Sequence, residues 1–467
     1  MITSRRWAAT SAVLLFLGLM VVNPAPATAA TTHSQIEGSG SSWSANAVNQ
    51  WIADVQQQGL PVVYTAPGSA QGRKDYAFGT VDYAVTDIPF QVRDPVSGDP
   101  DTSGGRPYVY LPIVAGGTAF PYQIKVGNQL VRNLRLSGLT IAKIFTNQIT
   151  NWNDPAITSD NNGRQLPSLP IIPVVHSEGS GSSAQFTTYL ASLYGNIWGP
   201  YNSGKNTLNE YFPRKGQAVA QNGSDGVMNF IASAAANGAI GYDEYSYALN
   251  ANFPVAKLEN AAGYFTLPTD KAVAKSLTQA VIGPDLIQKL DNVYRYTDDR
   301  TYPLSSYSYM ILPTGKGNED GRLTTGKRQT LVDFLYYSIC TGQREMGPIG
   351  YSPLPVNLVD DGFKQIQKLK DADPAVDITK RDTSTCNNPT FIAGHPERNY
   401  LAEIAPEPPL CDKRGQGPCG TNGTGGAGGS GGMAGVLGVL AVLELVAVLV
   451  VPVLLNQRLA ARRRERP

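Results

Sequence analysis

The chain has little net charge and few histidines. It carries 38 lysine and arginine residues against 37 aspartate and glutamate residues, a formal net charge of +1. Proteins that grip the nucleic-acid backbone carry a marked basic excess, so this composition excludes a strongly basic nucleic-acid surface. The 3 histidines, His33, His176 and His395, are scattered and form no recognisable metal motif. We therefore expect no nucleic-acid partner, no metal and no cofactor.

Cysteine is also scarce, and its placement indicates disulfides. The 4 cysteines lie in the last third of the chain, at Cys340, Cys386, Cys411 and Cys419. Without a CxxC pair, metal binding by these residues is the less favoured interpretation. Of the three possible pairings, we favour Cys411–Cys419, a short local loop, and Cys340–Cys386, which would tie down the end of the folded region. Such usage is typical of an oxidising compartment.

Motifs of common catalytic sites are missing as well. The Gly/Ser-rich segments do not contain GxSxG, and the order of Ser, His and Asp residues does not suggest a hydrolase triad. A phosphatase would need a metal cluster, and the sequence shows none. We therefore expect a binding protein and not an enzyme.

The two ends of the chain predict export and membrane anchoring. Residues 1–29 combine Arg5 and Arg6 with an apolar run and an Ala27-Thr28-Ala29 cleavage site, as in a secretory signal peptide. Residues 412–432 are rich in glycine and predict a flexible linker. Residues 433–455 are long and apolar enough to cross a bilayer, and the basic tail 456–467 predicts a cytoplasmic end. The folded body is then extracellular and tethered by its C-terminus.

Between the ends, strand-like and helix-like segments alternate, which predicts an α/β fold. Strands are expected over 62–64, 81–87, 108–114, 171–176 and 307–312, the third ending at Gly116-Gly117. Helices are expected over 43–57, 139–145, 226–237 and 328–341. In the first helix, Ala47, Val48, Trp51 and Val55 share one apolar face.

Small polar clusters follow several of these strands. They are Gly38–Ser42, Gly68-Ser69, Thr86-Asp87 and Ser177–Ser183. In open α/β sheets, ligands bind beyond the carboxyl ends of the strands, and free N–H groups at helix starts favour anions. Taken together, the clusters predict one anion site. Taken singly, each is equally typical of a helix cap or a turn.

At these clusters the chain resembles the phosphate-binding proteins of bacterial ABC transporters. The resemblance covers roughly residues 36–370 and lies in GSGSSWSANAVNQW (38–51), Gly68-Ser69, GTVDYAVTDIP (79–89), VVHSEGSGS (174–182), GAIGY (238–242) and GYSPLPVNL (350–358). It implies a two-lobe, type II periplasmic-binding-protein-like fold. Residues 36–114 and 308–375 would form lobe I and residues 115–307 lobe II, with a C-terminal extension over 376–411. The two hinge crossings would lie near Val114–Gly117 and Tyr302–Ser308.

The resemblance also implies a ligand, inorganic phosphate, and a partner, an ABC transporter permease. The implied phosphate ligands are Ser42, Trp43, Ser69, Asp87, Ser180, Gly181 and Ser182, with His176 at a position where the family has arginine. Phosphate keeps a proton at neutral pH and sulfate does not, so an acceptor at Asp87 would select phosphate.

His176 departs from the family because a histidine gives at most one charged donor, and only when protonated. It is equally compatible with a neutral, hydrogen-bonded residue at a strand end. Arg73 or Lys74 could supply the missing charge. The alternative functions are binding of another oxyanion, or a surface sensing, adhesion or scaffold protein that has kept the fold.

Overall fold

The computed structural model describes residues 33–420, except residues 380, 382, 384 and 385. The predicted signal peptide, the membrane span at 433–455, the tail at 456–467 and the linker from 421 onward lie outside the described residues. Among the helices that are described, none is both long and apolar enough to cross a bilayer.

The described strands and helices alternate along the chain, as expected for an α/β fold. The strands are β1 (Ile36–Gly40), β2 (Val62–Thr65), β3 (Tyr83–Thr86), β4 (Val92–Arg93), β5 (Pro100–Asp101), β6 (Tyr108–Pro121), β7 (Lys125–Val126), β8 (Gln129–Leu130), β9 (Arg135–Leu136), β10 (Ile172–His176), β11 (Val219–Gln221), β12 (Ala239–Gly241), β13 (Asp243–Glu244), β14 (Val255–Glu259), β15 (Phe265–Thr266), β16 (Val281–Ile282), β17 (Gln288–Lys289) and β18 (Ser305–Pro313). The α-helices are α1 (Ala45–Gln56), α2 (Ser69–Ala77), α3 (Gly138–Phe145), α4 (Pro155–Asp160), α5 (Gly181–Tyr201), α6 (Gly223–Ala232), α7 (Tyr245–Asn250), α8 (Asp270–Leu277), α9 (Asp291–Tyr294), α10 (Thr325–Ile339), α11 (Met346–Ile349), α12 (Val356–Ala372) and α13 (Tyr400–Glu403).

The largest sheet is mixed and has the strand order β15-β14-β6-β18-β3-β1-β2. Strands β1, β2 and β3 are parallel, whereas β18 runs antiparallel to both β3 and β6. The first part of β6 pairs with β18, and its last residues pair with β13 and β14. The second sheet, β11-β10-β12, is parallel. Tyr122, directly after β6, bridges to Ile240 of β12, so the second sheet lies beside the end of β6.

Strand β6 is longer than the sequence predicted. It continues through Gly116-Gly117 to Pro121 and does not end at the glycine pair. A Cβ on Gly116 would lie 2.6 Å from the indole of Trp43 and a Cβ on Gly117 would collide with Pro268. The two glycines thus allow side chains to pack closely against an extended strand, and they do not mark a turn.

Helix boundaries differ from the prediction where side chains cap the backbone. Helix α6 ends at Ala232 and not near Asn237, because the Gln123 amide donates to the carbonyl oxygens of Ile231 (2.7 Å) and Ser233 (3.0 Å). Helix α10 begins at Thr325 and not at 328, because the Thr324 side chain caps it.

The main core lies around the large sheet and includes the predicted face of α1. Ala47, Val48, Trp51 and Val55 are all fully buried, and the Trp51 indole N–H donates to the Gly342 carbonyl oxygen at 3.0 Å. Burial of four side chains on one stripe fixes α1 against the sheet, so the loop before it has a defined position.

Two disulfides, Cys340–Cys386 and Cys411–Cys419, match the pairing favoured from the sequence. The prediction of a flexible linker over 412–432 was wrong for residues 412–420, which pack on the body. Asp412 pairs with Lys257, Arg414 pairs with Glu259, and the Asn133 amide donates to the Gly420 carbonyl oxygen. These ion pairs and the Cys411–Cys419 disulfide hold residues 412–420 in place despite their glycine content.

Candidate functional site

Asp87 lies directly after β3 and is the centre of a buried polar cluster. Its Oδ2 accepts hydrogen bonds from the hydroxyls of Ser41 (2.6 Å) and Ser69 (3.1 Å). Its Oδ1 has no hydrogen-bond partner of normal geometry among the described residues. The main-chain carbonyl oxygen of Asp87 accepts from the Gln185 amide at 2.7 Å. One carboxylate oxygen is therefore committed and the other is available as an acceptor.

The surroundings of Asp87 favour its protonated form more than water does. Burial raises the pKa of Asp87, and the hydroxyls of Ser41, Ser308 and Ser69 together with the charge of Arg73 offset only part of this effect. A dry carboxylate of this kind is stabilised by a partner that donates a hydrogen bond to it.

Two Gly/Ser loops from different parts of the chain meet at Asp87. Gly181, the first residue of α5, lies so close that a Cβ there would collide with the Asp87 carboxylate. The loop before α2 contacts the same region, since Ala70 N–H donates to the Gly179 carbonyl oxygen at 3.1 Å. Gly68 has a φ of +112° and faces Glu178, so this close approach needs glycine. The clusters after β1, β3 and β10 and before α2 thus surround one point, as the sequence predicted.

Helix starts add positive potential around that point. Helix α2 begins at Ser69 and α5 begins at Gly181, so the positive ends of both helix dipoles lie beside Asp87. The Ser182 hydroxyl, in the first turn of α5, is buried and has no hydrogen-bond partner among the residues described. Hydroxyls and N–H groups of this kind hold an anion without a charged side chain.

Ser42 bridges to another element and does not contact Asp87. Its hydroxyl lies 3.0 Å from the Ser224 hydroxyl and accepts from the Ser224 N–H at 3.2 Å, at the start of α6. Its carbonyl oxygen accepts from the Tyr247 hydroxyl at 2.6 Å. The neighbour, Ser41, is the residue of this loop that binds Asp87. Sequence reasoning missed Ser41 and Ser224, although the run Ser41-Ser42 signalled that either hydroxyl was a candidate.

Ser180 caps a helix. Its side chain accepts from the Ser183 N–H at 3.4 Å, and its own N–H donates to the Glu210 carbonyl oxygen at 2.9 Å. This is the helix-cap role that the sequence left open for each Ser/Gly cluster. The cap orients the start of α5, on which Gly181 and Ser182 lie.

His176 is fully engaged with protein groups at the end of β10. Its Nδ1 lies 2.7 Å from the Glu178 carboxylate, and its Nε2 lies 3.3 Å from the Tyr242 carbonyl oxygen. Both partners are acceptors, so the surroundings favour the form of the ring that carries hydrogen on both nitrogens. Burial alone lowers the pKa of His176, but the hydrogen bond and charge of Glu178 outweigh it and raise the pKa above the ordinary value. His176 thus orients Glu178, whose other oxygen accepts from the Gly223 N–H at 3.0 Å.

Neither basic candidate for the missing charge contacts the Ser41, Ser69 and Asp87 cluster. Arg73 is buried and donates to Asp101, Thr86 and Glu210. The Lys74 ammonium lies 3.2 Å from the Asp94 carboxylate. The donors next to Asp87 are therefore neutral.

A metal is not indicated at this site. The described part of the chain contains no group of three or more His, Cys, Asp or Glu side chains placed to hold one.

Comparison with known proteins gives consistent matches. A family model described as a PBP superfamily domain matches residues 25–341, a stretch that ends before the C-terminal extension. Phosphate-binding protein PstS 2 of Mycobacterium tuberculosis is 31% identical over 330 residues, which cover 69% of this chain and 83% of the relative. Phosphate-binding protein PstS of Methanocaldococcus jannaschii is 29% identical over 352 residues, which cover 72% and 86%.

Solved structures agree on the architecture. A high affinity periplasmic phosphate-binding protein (PfluDING), bound with phosphate, aligns with a TM-score of 0.51 and 18% identity over 70% of this chain and 92% of its own. At that identity the likeness shows the fold alone, which is α/β and periplasmic-binding-protein-like.

Proposed function

This chain belongs to the PBP superfamily and, within it, to the family of PstS phosphate-binding proteins, and we propose that it captures inorganic phosphate between two lobes and delivers it to an ABC transporter permease. The proposal extends the family assignment to this chain's own site.

The observation that carries the proposal is the state of Asp87. It is a buried carboxylate with one oxygen held by Ser41 and Ser69 and the other without a partner among the described residues. A fully ionised oxyanion placed beside this carboxylate would be repelled. A phosphate that keeps one proton can donate that proton to Asp87, so the site favours phosphate over sulfate.

The proposed phosphate ligands are the hydroxyls of Ser42, Ser69, Ser180 and Ser182 and the backbone N–H groups of Trp43, Gly181 and Ser182, with Asp87 as acceptor. The Ser69 hydroxyl, which donates to Asp87 in this structure, would turn to the anion on binding, and Ser41 would remain on Asp87. Two of these groups support the proposal most directly. The Ser182 hydroxyl is buried and has no hydrogen-bond partner among the described residues, and Gly181 lies against Asp87. We assign His176 the task of orienting Glu178 and not of binding the anion.

The proposed mechanism is closure of two lobes and involves no chemical step. Residues 36–114 and 308–375 form lobe I and residues 115–307 lobe II, in a type II arrangement whose crossings lie in β6 and β18. Support comes from the Ala70–Gly179 hydrogen bond and from the position of Gly181 against Asp87, which both join residues of the two proposed lobes. Phosphate stabilises the closed form, which the permease recognises. We accordingly propose no enzymatic activity.

We further propose that the protein is exported and tethered to the membrane. The signal peptide at 1–29, the apolar span at 433–455 and the basic tail at 456–467 support this on sequence grounds. The body would then lie outside the membrane and bind phosphate near its permease.

Calorimetric titration of the protein with phosphate and with sulfate tests the proposed function. We expect saturable phosphate binding and sulfate affinity lower by at least about a hundredfold, since repulsion at one buried contact costs about 3 kcal/mol. Absence of binding of either anion would contradict phosphate capture and favour a surface protein that has kept the fold. Equal affinities would indicate a general oxyanion binder.

A further inference from the structure

Arg73 is the most completely enclosed cation near the candidate site, and its partners come from two parts of the fold. It lies in α2, which packs on β1 and β3 of the large sheet. Its side chain is only 1% exposed. The guanidinium Nε donates to Asp101 at 3.0 Å and Nη1 donates to Thr86 at 3.2 Å. These contacts fix the side chain within its own part of the molecule.

The remaining edge of the guanidinium reaches across to the other part. Nη2 donates to both oxygens of Glu210, at 2.8 Å and 2.9 Å, and the Glu210 side chain is 1% exposed. Glu210 follows α5, which begins after β10 of the second sheet. Arg73 and Glu210 therefore form a buried ion pair that joins the two lobes as proposed above.

Neighbouring contacts make the same crossing. The Tyr211 hydroxyl donates to Asp94 at 2.7 Å, and the Glu210 carbonyl oxygen accepts from Ser180 within lobe II, which fixes Glu210 to the start of α5. Opening of the lobes would separate Glu210 from Arg73 and Tyr211 from Asp94 together. The closed form thus holds an ion pair that the open form cannot make.

We propose that Arg73 and Glu210 form a clamp that holds the lobes closed over the anion, so that Arg73 acts on closure and not directly on the ligand. This inference rests on the proposed function. The clamp gives Arg73 a role beside a site in which His176 occupies the position of the family's arginine. A lysine could not replace Arg73, because only a planar fork reaches Asp101, Thr86 and Glu210 at once.

The clamp and simple charge attraction predict opposite changes in phosphate affinity for Glu210→Gln. Glu210→Gln removes a negative charge near the site, so charge attraction alone would tighten phosphate binding. Loss of the clamp instead weakens the closed form, because the buried Arg73 guanidinium loses its ionised partner in the other lobe. We expect Glu210→Gln to raise the dissociation constant and the dissociation rate of phosphate by at least about tenfold. Arg73→Lys, which keeps the charge and loses the fork, should act in the same direction.

Asp320→Asn is the matched control, because Asp320 pairs with Arg106 at 2.6 Å, is also buried, and lies with Arg106 in lobe I. It should lower thermal stability and leave the phosphate dissociation rate unchanged. Stopped-flow dissociation and calorimetry on the wild type and the three variants measure the dissociation rate and the dissociation constant of phosphate. Tighter or unchanged binding in Glu210→Gln overturns the clamp, as does an equal loss in Asp320→Asn.

Small-angle scattering of the anion-free proteins separates failure of the clamp from failure of the proposed function. If the wild type binds no phosphate, the proposed function fails, and the clamp is judged by shape alone. A larger radius of gyration in Glu210→Gln than in the wild type and Asp320→Asn supports it, and equal radii overturn it. If Arg73→Lys does not fold, Glu210→Gln carries the test.

Discussion

At the scale of single residues, the pair His176–Glu178 differs most from the expected pattern. The sequence placed His176 among the ligands, but both of its ring nitrogens are used within the protein. The substitution of histidine for arginine therefore does not simply weaken one contact to the anion. It turns the position into a support for Glu178 and, through the Gly223 N–H, for the start of α6.

This support should depend on pH. The pKa of His176 is raised, so its contribution to stability is complete below the ordinary histidine value of about 6.5 and is lost as the pH rises through the folded value. The pKa of Glu178 is lowered, so its contribution is present above about 4.3 and is lost in acid. The pair is strongest between these limits.

We predict that His176→Gln lowers the melting temperature of the anion-free protein more at about pH 6 than at about pH 9. Breaking a largely buried pair corresponds to roughly 3 kcal/mol at the lower pH. Thermal unfolding followed by circular dichroism measures the difference. His395→Gln is the control, since His395 is exposed, and it should have no pH-dependent effect. An equal loss at both pH values would show that His176 is neutral in the folded protein.

At the scale of elements, the start of α5 brings the second lobe against Asp87. Gly181 is required there because a side chain would collide with the Asp87 carboxylate when the lobes are closed. We predict that Gly181→Ala lowers phosphate affinity by at least about a hundredfold. It should leave thermal stability without anion nearly unchanged, because opening relieves the collision.

Gly226→Ala tests whether the effect is specific to that position. Gly226 lies within α6, and a Cβ there would meet neighbours only at ordinary contact distance, 3.6 Å. It should leave affinity unchanged and raise stability slightly, as alanine does in helices. Normal phosphate binding by Gly181→Ala would contradict the proposed position of the anion.

Elements of this fold were predictable from the sequence where periodicity and burial agree. The face Ala47, Val48, Trp51 and Val55 and the strand ending at Thr86 follow directly from apolar spacing. The path of β6 through Gly116-Gly117 was not predictable, because the need for glycine comes from Trp43 and Pro268, which are distant in sequence. The convergence of Ser/Gly loops was predictable from strand ends, but the hydroxyl that reaches Asp87 was not. Only three-dimensional placement distinguishes Ser41 from Ser42.

At the scale of the whole molecule, the C-terminal extension contacts both of the proposed lobes. It is attached to the proposed lobe I by Cys340–Cys386 and by Asn388, whose amide donates to the Leu354 carbonyl oxygen. Helix α13 then packs on α8, and Asp412 pairs with Lys257 in lobe II. The chain therefore leaves the described region at Gly420, beside Asn133 of lobe II.

The two disulfides of this extension should differ in their contribution to stability. They close loops with sequence separations of 46 and 8 residues, and the longer loop restricts the unfolded chain more. We predict that Cys340→Ser with Cys386→Ser lowers the free energy of unfolding by about 4 kcal/mol and that Cys411→Ser with Cys419→Ser lowers it by about 2.5 kcal/mol. Guanidinium unfolding measures both losses. The reverse order would mean that the C-terminal loop contributes packing beyond its covalent link.

The central claim is that Asp87 selects a protonated oxyanion, and the anion selectivity of Asp87→Asn tests it most directly. Calorimetry of phosphate and sulfate binding gives the ratio of the two affinities in the wild type and the variant, with Asp99→Asn, an exposed aspartate, as control. We predict that Asp87→Asn loses phosphate affinity, because the acceptor of the phosphate proton is gone. It should gain sulfate affinity, because the repelling charge is gone and the amide can donate to the anion. The ratio of phosphate to sulfate affinity should fall from at least about a hundredfold to within about tenfold. A variant that keeps the wild-type ratio would contradict the account.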